Sequence, residues 1–127
     1  MFKFLCFIVL VALHLGTVCA LTCHRCLAST NSDCYRGVEA SFIKEQCSSN
    51  TVSNLSVLKN LTLNKTLSFE TVCVSVVFSG YWNDYIERGC GFIYKGEDIC
   101  EYLDSVSYIE SCSYCTANFC NSKSFAL

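Results

Sequence analysis

The chain has 127 residues, nine Lys+Arg against eleven Asp+Glu, and twelve cysteines. A net charge of −2 excludes a nucleic-acid binder and a polybasic membrane binder, both of which need a basic face. The length suits one domain.

Residues 1–20 read as a secretory signal peptide. Lys3 gives the positive start, Phe4 to Leu15 is apolar apart from His14, and Val18-Cys19-Ala20 offers a small-residue cleavage site. The apolar run falls short of the ~20 residues that a spanning helix needs. Cleavage after Ala20 would remove Lys3, Cys6 and Cys19, leaving ten cysteines and a net charge of −3 on 107 residues. An even cysteine count in an exported chain of this size reads as a disulfide framework, with cross-links supplying much of the stability. Only six residues follow Asn121; that is too few for the hydrophobic tail of a lipid-anchor signal, so a soluble, secreted, extracellular product is expected. The expected layout is a signal peptide over 1–20, one domain over 21–121 and a short tail over 122–127.

Residues 48–70 hold no cysteine but three glycosylation sequons, at Asn54, Asn60 and Asn64. Three sequons so close together in an exported chain predict an exposed, glycan-bearing segment. In Leu61 to Phe69 the odd positions are apolar except Lys65, so a strand here would carry Asn60 and Asn64 on its outer face.

Thr71 to Phe78 alternates, with Val72, Val74, Val76 and Phe78 on one side and Cys73, Ser75 and Val77 on the other. This is strand periodicity. A turn near Ser79-Gly80 and a return over Tyr85 to Cys90 complete a hairpin bounded by Cys73 and Cys90. Cys90 to Lys95 suggests a further strand that Gly96 ends. Tyr102 to Ile109 fits either another hairpin finger or a short helical turn.

The tip of the central hairpin is the candidate binding site, carried by Phe78, Tyr81, Trp82 and Tyr85. A hairpin tip has little core behind it, and Trp and Tyr are common interface anchors. The competing reading folds Trp82 back onto Tyr85 or a neighbouring finger. Between Asp84 and Glu110 seven acids stand against two bases, either a solvated face or a docking patch for a basic partner.

Catalytic chemistry is thin. After signal removal His24 is the one histidine, and it sits between two cysteines expected to be bridged, so no thiolate is free to pair with it. An enzyme is not expected. Cys23-x2-Cys26 and Cys112-x2-Cys115 have the spacing of zinc ligands, but an oxidising compartment favours bridges. Glu97, Asp98, Glu101 and Asp104 lack the calcium-loop pattern. No cofactor or metal is expected.

Three features together resemble the lymphocyte-antigen-6/urokinase-receptor family. They are the opening Leu21-Thr-Cys23-His-Arg-Cys26, the Arg88-Gly89-Cys90 of the central finger and the closing Cys115-x4-Cys120-Asn121. The long Cys47–Cys73 interval and the two residues between Cys112 and Cys115 resemble insect secreted members more than vertebrate ones. The resemblance implies an all-β, snake-toxin-like three-finger domain. Ten cysteines allow about 945 pairings; of these it implies Cys23–Cys73, Cys26–Cys34, Cys47–Cys90, Cys100–Cys112 and Cys115–Cys120. It also implies a binding module that docks on and modulates a membrane receptor or ion channel. A structural, adhesion or trafficking role for a membrane protein, such as epithelial junction assembly, is the alternative. A carrier of small apolar molecules ranks last, because a three-finger domain is thin for an enclosed pocket.

Overall fold

The computed structural model describes residues 20–48 and 68–126. The expected signal peptide, apart from Ala20, and the sequons at Asn54, Asn60 and Asn64 lie outside the described residues. Among the described residues the domain is mostly β, with one antiparallel five-stranded sheet, two short helices and five disulfides.

The elements in chain order are β1 (Thr22–Ser29), α1 (Asp33–Arg36), a 3-10 turn (Glu39–Ser41), β2 (Ile43–Gln46), β3 (Phe69–Phe78), β4 (Tyr85–Tyr94), α2 (Ile99–Val106) and β5 (Ile109–Cys115). The sheet order is β2-β1-β4-β3-β5. β3 and β4 form its spine, paired from Phe69↔Tyr94 to Phe78↔Tyr85 with Cys73 opposite Cys90.

β3 shows why its residues form a strand. Its β-branched side chains pack well on a pleated surface, and the alternation sorts them onto two buried faces. Val72, Val74, Val76 and Phe78 share one core cluster with Ile93 of β4 and with Ile99 and Leu103 of α2. On the opposite side Val77 packs with Ile86 and Cys34, and Cys73 joins Cys23, Cys47, Cys90 and Phe92.

β4 runs unbroken from Tyr85 to Tyr94, so the two strands expected on either side of Cys90 are one. Gly91 makes no turn there. It makes room: a Cβ at this position would sit 2.5 Å from Cδ1 of Ile99, so glycine lets α2 lie close against the strand.

The stretch read as either a finger or a helical turn is a helix followed by a strand. The Asp98 side chain accepts from the backbone N–H groups of Cys100 (2.7 Å) and Glu101 (3.2 Å), satisfying donors that a helix start leaves orphaned. Ile99 and Leu103, four residues apart, are fully buried and form the helix stripe that faces the sheet. Part of the acidic run therefore serves as a cap, with Asp98 and Glu101 at the end of the helix that favours negative charge.

The disulfides join Cys23–Cys73, Cys26–Cys34, Cys47–Cys90, Cys100–Cys112 and Cys115–Cys120, the same pairs that the resemblance implies. Two meet at the base of the sheet, where Sγ of Cys23 lies 3.2 Å from Sγ of Cys47. Cys100–Cys112 ties α2 to β5, and Cys26–Cys34 ties β1 to α1.

Candidate functional site

The hairpin tip spans residues 79–84, between the end of β3 and the start of β4. Two contacts pin it from the side: Ser79 N–H donates to Tyr108 O (3.0 Å), and Ser79 Oγ donates to Glu110 Oε1 (3.4 Å). The turn itself is tight, because a Cβ on Gly80 would meet Asn83 O at 2.1 Å. Tyr81 and Trp82 stand at the apex, 93% and 86% exposed. Their rings meet edge to face, 5.1 Å between centroids, a favoured aromatic geometry. Trp82 does not fold back on the sheet.

The four aromatics expected to form one binding surface split into two pairs. Tyr81 and Trp82 face solvent. Phe78 does not: it is 1% exposed and belongs to the core with Val72, Val74 and Val76. Tyr85, directly opposite it in the ladder, is half-buried and stacks on it at 5.1 Å. The physical reason is parity, since Phe78 continues the face of β3 that packs against Ile99 and Leu103 of α2. Phe78 and Tyr85 support the tip from beneath and are not part of its exposed surface.

Further exposed apolar residues stand at the end of α2 and on its connection to β5. Tyr108 is 85% and Val106 50% exposed. An open groove of about 1000 Å³ runs between this connection and the tip, lined by Tyr81, Ser79, Asp104, Val106 and Tyr108 among others. Tyr108 is not among the residues that the sequence singles out for binding, although an exposed Tyr between a helix and a strand is a recognisable interface signal.

Below the sheet lies a polar knot. Arg88 is 1% exposed, and its guanidinium donates to four neutral oxygens. Nε reaches Cys34 O (3.0 Å), Nη1 reaches Ser75 Oγ (2.8 Å) and Asn121 O (2.6 Å), and Nη2 reaches Lys123 O (2.8 Å). The rings of Phe42 and Phe125 flank it at 5.4 and 5.3 Å. Burial pushes its pKa down to about 10, which still leaves it charged at neutral pH. Asn121 completes the knot. Its Oδ1 accepts from His24 N–H (2.9 Å), and its Nδ2 donates to His24 O (2.9 Å) and Val74 O (3.1 Å), so one side chain links β1 to β3. Within the segment expected to form a short tail, Phe125 packs beside Tyr35, and its N–H donates to Tyr35 O (3.1 Å).

His24 is buried, with its ring tilted against Phe42 and Phe119. Its Nδ1 has no hydrogen-bond partner, so the neutral form is favoured. Burial lowers its pKa most; Arg88 and Lys44 lower it further, and Glu39 opposes them. A base whose folded pKa lies below its unfolded value contributes stability that is present above about pH 6.5 and lost as pH falls through the folded pKa. Stability of the wild type is therefore expected to drop on acidification below that point. His24→Phe should flatten this part of the curve, as read by urea unfolding at a series of pH values. An unchanged slope in the variant would refute the assignment.

The sulfurs of Cys23, Cys47 and Cys90 lie within 4.8 Å of one another. Each is bound to another sulfur, as are Cys26, Cys112 and Cys115, so none of them is the thiolate that zinc requires. Of the acidic run, Glu97, Glu101, Asp104 and Glu110 are exposed, while Glu87 is buried. Among the described residues no helix is long and apolar enough to cross a membrane. Comparisons of the chain with models of known protein families, with curated proteins and with solved structures found no match.

Proposed function

We propose that this chain is a secreted, extracellular binding module of the lymphocyte-antigen-6/urokinase-receptor three-finger type. It docks on a membrane receptor or ion channel and modulates it through the tip of its central hairpin. The observation that carries this reading is the Tyr81–Trp82 pair, almost wholly exposed at the apex of a hairpin. The base of that hairpin is clamped by Cys23–Cys73 and Cys47–Cys90.

Two large aromatics kept in water gain nothing for the fold, whereas their burial in a complex is favourable at about 25 cal/mol per Å² of apolar surface. A clamped, tightly turned tip also loses little conformational freedom on docking. Five disulfides and the signal-like start support export, because an oxidising compartment is where such bridges persist.

The test is binding of the tagged, secreted protein to intact cells. Saturable binding that is competed by untagged protein and removed by surface proteolysis is the expected result. Failure to bind any cell type, together with co-purification of a membrane protein from inside the secretory pathway, would overturn it in favour of a trafficking role.

A further inference from the structure

The groove beside the tip differs from the rest of the surface in its charge. Among the described residues no lysine, arginine or histidine lines it, whereas Asp104 does. Glu110 stands at its edge, bonded to Ser79. Both bases of the 84–110 stretch are elsewhere. Arg88 is buried in the knot, and Lys95 lies past the end of β4, where its N–H donates to Ser68 O, at the opposite end of the hairpin from the tip. The carboxylates near the groove therefore have no cation of that stretch beside them. The aromatic side chains that line it are Tyr81 and Tyr108; Trp82 stands edge to face against Tyr81, and all three are more than four-fifths exposed.

Aromatic faces attract cations through their quadrupole, and carboxylates do so through charge. A surface that offers both, with no cation beside it among the described residues, is complementary to Lys or Arg. Its size and openness suit a chain segment lying across it. A small-molecule site would enclose most of its ligand.

We propose that this groove takes a Lys- or Arg-bearing segment of the protein partner. The cation is held against the Tyr81 and Tyr108 rings, beside Trp82, with Asp104 and Glu110 supplying the opposite charge. The inference rests on the docking reading above and adds the chemistry of the occupant.

Trp82 is the single tryptophan, so intrinsic fluorescence reports on the tip alone. The probe is an acetylated, amidated (Gly-Arg)3 peptide, with citrulline-for-Arg and Glu-for-Arg peptides as controls. The expected result is a saturable change in Trp82 emission with the Arg peptide only, weakened by raising salt from about 0.01 to 0.15 M. The Asp104→Asn/Glu110→Gln double variant should weaken it roughly three- to tenfold, in line with exposed charge pairs.

Equal response to the citrulline peptide, or equal affinity in the double variant, would overturn the proposal. So would a concentration-dependent doubling of mass that shifts Trp82 emission, which would give the groove to a second copy of the chain. If the Arg peptide fails while Trp82→Ala still abolishes cell binding, the docking reading stands and this inference falls. If the peptide binds while Trp82→Ala leaves cell binding intact, the groove chemistry stands and the fingertip reading falls.

Discussion

Replacing Arg88 with Met is expected to cost about 2–4 kcal/mol, because hydrogen bonds from a charged donor contribute about 1.5–3 kcal/mol each and the guanidinium's own desolvation offsets part of their sum. The loss is one of hydrogen bonding more than of volume. Met fills much of the same space, but Cys34 O and Lys123 O would lose the guanidinium donor, and Asn121 O would keep only Ser75 Oγ. A buried acceptor left unpaired costs about 1–3 kcal/mol. Lysine is a poor substitute, because one ammonium cannot reach carbonyls that a planar fork serves from several sides. Local effects should follow. The chain after Asn121 is fastened through Arg88, so the Phe125 N–H should exchange with solvent far faster in the variant, and a protease should cut there first. Urea unfolding, with hydrogen exchange at Phe125, reads both effects. A loss under about 1 kcal/mol would show that the guanidinium merely breaks even against its own desolvation.

Opening Cys23–Cys73 by Ala substitution at both positions should cost about 4 kcal/mol, whereas opening Cys115–Cys120 should cost about 2. The difference comes from loop length, 50 residues against five, since the longer loop restricts the unfolded chain more. Against a typical total of about 5–15 kcal/mol for a small domain, the first change leaves a marginal fold. Denaturant midpoints of the two double variants, compared at equal m-value, measure this directly. Equal losses would mean that native packing of the buried Cys23 and Cys73, and not chain entropy, sets their contribution.

How legible all this is in the sequence depends on where each interaction is written. β3 is legible because its pattern lies in consecutive residues, and the parity that places Phe78 beside Val72, Val74 and Val76 already marks it as inward. Treating Phe78 as part of an exposed tip sets that parity aside. The two-strand reading of β4 fails because Gly91 reads as punctuation in one dimension, and its close approach to Ile99 exists only in three. α2 is written twice, in the Asp98-x-x-Glu101 capping pattern and in the Ile99/Leu103 stripe, but both sit inside an acidic run that reads as solvated surface. Arg88 is the least legible. Its partners are backbone carbonyls of Cys34, Asn121 and Lys123, and a carbonyl has no letter in the sequence.

The candidate site divides in the same way. Tyr81 and Trp82 are recognisable as a tip because Cys73 and Cys90 bracket them symmetrically, and the pairing of those cysteines across the ladder sets the apex where the bracket implies. Tyr108 joins that surface only because Ser79 and Tyr108 are hydrogen-bonded across the top of the sheet, a contact between segments 29 residues apart in sequence.

The most direct measurement compares saturable cell binding of the secreted protein with that of Trp82→Ala, after non-reducing peptide maps have shown the same five disulfides in both. Trp82 is almost free of contacts with the core, so the variant should secrete and fold normally. Hot-spot aromatics are worth about 2 kcal/mol or more when truncated, so its affinity should fall by about thirtyfold or more. Undiminished binding by a normally folded variant would contradict a docking role for the central tip.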